Sequence, residues 1–119
     1  MLSIKSAVLT ALQTNTSLST LNGFYFSHPP DFTNLPVLSY FEVDNIGNLY
    51  GDNQEIGSEF VYQIDLWHSA SLTALAAGVD SALKTLDFAR IQSMDLYEND
   101  TLIYHKSMRF RLDYSDPNF

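Results

Sequence analysis

From Ser58 to Leu86 a strand pattern runs directly into a helix pattern, and this junction restricts the possible folds more than any other stretch. Phe60, Tyr62, Ile64 and Leu66 are apolar at alternate positions, while Glu59, Gln63 and Asp65 lie between them, the period of a half-buried strand. Ser71 stands where an N-cap is expected, and Leu72, Leu75, Ala76, Val79, Leu83 and Leu86 recur at helical spacing. A strand and the helix that follows it can therefore share one apolar layer, which points to an α+β domain.

The other elements arrange themselves around that layer. Ile4, Ala7, Val8, Ala11 and Leu12 follow helical spacing behind Ser3, a candidate N-cap, and predict a short amphipathic helix ending near Thr14. Asn22-Gly23 marks a turn, and Phe24 to Phe26 predicts a brief strand that His28-Pro29-Pro30-Asp31 stops, because proline removes ladder donors. Val37 to Asp44 alternates as a strand. Asn45 to Gly57, rich in glycine, asparagine and acidic residues, predicts a long hairpin loop or an extended arm carrying Ile46, Leu49, Tyr50 and Ile56. Such an arm is expected to be mobile in the isolated subunit and to order against a partner. Arg90 to Tyr97 and Leu102 to Tyr114 predict two further strands joined by a turn at Glu98-Asn99-Asp100. The expected architecture is a mainly antiparallel four-stranded sheet with two helices packed on one face and a long hairpin loop. Its core should place Phe60, Tyr62, Ile64 and Leu66 against Val79, Leu83, Ala7 and Leu12. Residues 1–114 make one domain by length, and 115–119 are expected to fray.

Fourteen acidic against six basic residues give a net charge of -8, which opposes general binding to nucleic acid or an anionic membrane. The chain has no cysteine, so disulfides and thiolate metal sites are excluded. No apolar run reaches the 18 or so residues of a membrane span, and a secretory signal is not expected at the N-terminus.

The sequence holds no phosphate loop, no dinucleotide turn and no nucleophile elbow. His28, His68 and His105 could meet a carboxylate such as Asp95 around a metal, but none form an i, i+4 pair, and scattered histidines are the simpler expectation. No catalytic residue, metal or cofactor is expected. Trp67, at the end of the central strand, suits either a partner interface or the core. Lys106, Arg109 and Arg111 hold half of all basic residues in one strand, whereas Glu55, Glu59 and Asp65 surround another. These charges suit cross-strand pairs within the sheet, or a ring in which one subunit's basic edge meets its neighbour's acidic edge.

The run Ser58-Glu59-Phe60-Val61-Tyr62-Gln63-Ile64-Asp65-Leu66-Trp67 precedes a Ser/Thr-rich helix start. Further on stand Asp95-Leu96-Tyr97-Glu98 and Ile103-Tyr104-His105-Lys106-Ser107-Met108-Arg109-Phe110. Together with the opening helix and Tyr40-Phe41-Glu42, the pattern resembles the tail-completion proteins of long-tailed phages and prophages, also called tail-terminator or head-to-tail joining proteins. The resemblance spans Ile4 to about Arg111. It implies an α+β subunit, assembled in the host cytoplasm into a hexameric ring of the virion, which caps the tail tube and docks on the head connector. It implies no catalysis. Two other classes remain open on the sequence: a monomeric α+β binding or regulatory module, and a small His-dependent enzyme.

Overall fold

The computed structural model describes residues 4–51, 54–99 and 101–115, and of 44–51, 54–58 and 114–115 it describes the main chain only. Helix α1 (Lys5–Thr14) and a 3-10 turn (Thr16–Leu18) precede strands β1 (Phe24–Phe26), β2 (Val37–Gly51) and β3 (Gln54–His68); helix α2 (Thr73–Lys84) then leads to β4 (Ala89–Glu98) and β5 (Ile103–Ser115).

The strands form one five-stranded sheet in the order β1-β2-β3-β5-β4, with β1 parallel to β2 and every other pair antiparallel. The expected four-stranded, mainly antiparallel sheet is thus corrected to a mixed sheet of five. Three residues suffice for β1 because flanking bonds lengthen its ladder: the Leu38 N–H donates to the Gly23 carbonyl at 3.0 Å, and the Ser27 N–H to the Tyr40 carbonyl at 2.9 Å. Parallel neighbours cannot be joined by a tight turn. The connection from Ser27 to Pro36 instead passes over the face away from the helices, where Leu35 packs on Val37, Trp67 and Ile103, and the Phe32 ring lies 5.6 Å from that of Trp67.

The second correction concerns Asn45 to Gly57. Pairing of β2 with β3 continues from Asp44↔Val61 to Gly51↔Gln54, so 45–51 and 54–57 are strand, the extended arm of the two readings and not a loop. The register shifts between Glu42 and Asp44, Gly47 and Leu49, and Leu49 and Tyr50. Those irregularities absorb the residues whose types suggested a loop, as bulges do. Fifteen residues at about 3.3 Å each extend about 50 Å, close to the 54 Å length of the molecule. The side chains of Ile46, Leu49, Tyr50, Glu55 and Ile56, with the arm's expected mobility, lie outside what is described, as do Ser3 and residues 116–119.

Both helices cover one face. Phe60, Tyr62, Ile64 and Leu66 of β3 are fully buried with Leu38 of β2, Met108 and Phe110 of β5, and Val79 and Leu83 of α2. Helix α1 contributes Val8 and Leu12, while Ala7, expected in the core, is exposed. The alanine falls at the margin of the apolar stripe, where a larger neighbour takes the contact. Ser71 is not the N-cap itself, since α2 begins at Thr73, yet its hydroxyl still accepts from the Thr73 N–H at 3.3 Å. A Cβ on Gly78 would stand 2.9 Å from Leu18 Cδ2 and 3.0 Å from Ser17 Cβ, so the bare backbone there lets α2 sit on the 3-10 turn.

Candidate functional site

The helix layer reaches only the start of β4, where Arg90 pairs with Asp80 of α2 at 2.9 Å. All ten residues of this edge strand are exposed, although it carries Ile91, Met94, Leu96 and Tyr97. Leu102, in the turn to β5, is 62% exposed and sits at a positive φ of 59°, an unfavourable place for a bulky side chain. With Tyr104, these make six of the nine exposed large apolar side chains among the described residues. Scattered apolar residues on a surface need no explanation; here most of them gather on one strand and its turn. At the start of α2, a cleft of about 540 Å³ opens between Ser71 to Thr73 and the strand pair, lined by Asp95, Tyr97, Tyr104 and Lys106. The Tyr97 and Tyr104 rings lie 4.7 Å apart, and Lys106 Nζ donates to Asp95 Oδ1 at 3.0 Å.

The opposite face of the sheet is organised by cross-strand rows. Ser39 pairs with Asp65, Asp65 with Ser107 and Ser107 with Met94, while Gln63 stands between Phe41 and Arg109. Asp65 is a buried carboxylate, and it is fully engaged: Gln63 Nε2 donates to Oδ2 and His105 Nε2 to Oδ1, each at 2.9 Å. A carboxylate can only accept, so His105 must carry its proton on Nε2. The Trp67 ring stacks on the imidazole at 4.5 Å, only 16° from parallel. Trp67 is 8% exposed and lies between the Phe32 and His105 rings. This Asp-His pair does not extend into a nucleophilic relay, since no hydroxyl bonds the other His105 nitrogen among the described residues. Ser39 Oγ and His68 Nδ1 are buried without a hydrogen-bond partner among those residues.

The basic residues of β5 and the acids of β3 do not occupy separate edges, because β3 and β5 are neighbours in the middle of the sheet. Arg111 reaches Glu59 at 3.2 Å and Asp113 at 3.4 Å within the same chain. Arg109 donates from Nε to Gln63 Oε1 at 3.0 Å and meets no carboxylate among the described residues. Two environments have clear electrostatic causes. Burial and the Glu42 carboxylate, which accepts from the Tyr62 hydroxyl at 3.2 Å, raise the Tyr62 phenol above its ordinary range. The Thr33 hydroxyl and amide lower exposed Asp31. His28 lies in the covering loop, His68 at the end of β3 and His105 in β5, and no group of three or more potential metal ligands gathers among the described residues.

The fold is shared with a chain of a solved particle. Over 95% of this chain and 95% of the other, it matches a chain from a structure described as the virion of a native gene transfer agent particle, with a TM-score of 0.69. The two sequences are 14% identical, so what they share is the fold. No protein-family model and no curated protein matches the sequence. Sequence reasoning had picked out Trp67, Lys106, Arg109 and Arg111, but it missed β4 as the bare edge. The alternation of Met94 and Leu96 with Ser93, Asp95 and Tyr97 was visible. That neither side of it would be covered depends on where α2 ends.

Proposed function

We propose that this chain is a structural protein of a phage-like virion, which caps the tail tube and joins it to the head connector as a homo-oligomeric ring. The observation that carries this assignment is the sharing of one fold, end to end, with a chain of a gene transfer agent virion. The bare β4 edge and its apolar cluster support it, since a subunit of a ring must present surface to its neighbours. The proposed contacts between subunits involve Glu55, Glu59, Trp67, Lys106, Arg109 and Arg111. Of these Arg109, which meets no carboxylate among the described residues, is best placed to accept one from a neighbour. The arm at residues 45–57 contacts the tail tube protein or the head connector through Ile46, Leu49, Tyr50 and Ile56. The protein acts at the head-tail interface of the virion, with a mechanical role and no bond chemistry. No cofactor, membrane or sequence-specific nucleic acid takes part.

The test is deletion of the gene from a phage or prophage that encodes it, followed by electron microscopy of the lysate. Separate heads and tails, restored to joined particles by complementation, are the expected result. Joined particles in the deletion strain would overturn the assignment and favour a regulatory binding module.

A further inference from the structure

The sheet has two free edges, one on either side, and they are matched in length and direction. Strand β4 pairs only with β5 among the described residues, so one side of its ten-residue backbone is unpaired. On the far side of the sheet, β1 covers β2 only at Leu38 to Tyr40, leaving the outer edge of residues 41–51 without a strand partner among the described residues. Ten residues thus face eleven, each about 33 to 36 Å of extended chain.

Direction follows from the ladder. β2 is antiparallel to β3, β3 to β5 and β5 to β4, so β4 runs opposite to β2. A second copy set beside the first in the same orientation would therefore bring β2 against β4 as an antiparallel pair, with the ladder geometry of the rest of the sheet. Of the basic residues of β4 and β5, Arg90, Lys106 and Arg111 are paired with acids of the same chain, which leaves Arg109 without a carboxylate among the described residues, while β2 carries Glu42 and Asp44 and no Lys or Arg. β4 contains no Pro and no Lys, residues that commonly guard an edge against pairing, and its bulge between Arg90 and Gln92 falls at its start.

We propose that β4 of one copy adds to the uncovered edge of β2 in a second copy, so that the sheet runs on from subunit to subunit. This rests on the ring proposed above and specifies what closes it. The contact is heterologous, with a different surface on each partner, and so generates a ring where the rotation closes. Main-chain bonds supply the pairing and fix its antiparallel direction, and Met94 and Leu96 bury apolar surface across it.

Two measurements on the purified full chain test the pairing. Amide hydrogen exchange on the unaltered protein is compared between dilute monomer and the assembled form. Alternate amides in 89–98 and in 41–51 should slow together by at least about tenfold on assembly. Separately, Met94→Cys and Phe41→Cys variants, in a chain with no other cysteine, are mixed and treated with a short bis-maleimide. Linked dimers containing one of each variant are expected, with few of either variant linked to itself. Assembly with unchanged exchange in β4, or Met94→Cys linked only to itself, would overturn the strand pairing while leaving the ring intact. A chain that stays monomeric at high concentration would overturn both.

Discussion

On β3, Phe60, Tyr62, Ile64 and Leu66 are fully buried beneath the helices, whereas on β4, two strands away in the same sheet, all ten residues are exposed. Both strands alternate in hydropathy. The difference lies in what each is set against: α1 and α2 pack on the centre of the sheet, and β4 meets the helix layer only at its margin, as where Arg90 pairs with Asp80. An apolar side chain buried within its own subunit stabilises the fold. One left outside contributes nothing to the fold and is available for a partner. Folding and assembly should therefore be separable by mutation, with β3 and α2 governing the first and β4 the second.

The largest effect is expected beneath the helices. Ile64→Ala and Leu83→Ala each remove a fully buried side chain and should lower stability by about 2 to 5 kcal/mol in chemical denaturation. A change within about 0.5 kcal/mol at both sites would mean that these side chains do not form the core.

The covered part of the opposite face should be intermediate. Asp65→Ala leaves Gln63 Nε2 and His105 Nε2 without their acceptor, a cost of about 1 to 3 kcal/mol for buried groups. The same variant frees the His105 ring beneath Trp67, so tryptophan fluorescence should shift with it. Unchanged stability and fluorescence would show that the row of polar side chains is not fixed in solution.

These two regions differ in how far the sequence foretold them. The β3-α2 unit was legible because two strong periods, one of strand and one of helix, adjoin without an intervening ambiguity. The Asp65-His105 pair was not, because its members lie 40 residues apart and meet only through the β3-β5 register. The hairpin beyond Asp44 was obscured for a different reason. Its glycines and asparagines follow turn chemistry locally, yet the ladder accommodates them at bulges. The fifth strand was visible as Phe24 to Phe26, but its parallel place beside β2 depends on a loop whose path over the sheet has no local signature.

The smallest effect on stability is expected at the bare edge. The double variant Met94→Ser and Leu96→Ser should alter unfolding free energy by no more than about 0.5 kcal/mol per site, as is usual for exposed positions. In sedimentation velocity the same variant should shift the protein toward monomer. A large loss of stability would show that β4 belongs to the subunit's own core and would remove the contrast with β3.

The central proposal, that this chain forms a ring between tail tube and head, is tested most directly by a cryo-electron microscopy reconstruction of particles from a phage or prophage that encodes it. The account predicts a closed ring of this five-stranded fold at the head-proximal end of the tail. Finding the chain absent from the particle, or distributed along the tail tube, would contradict it.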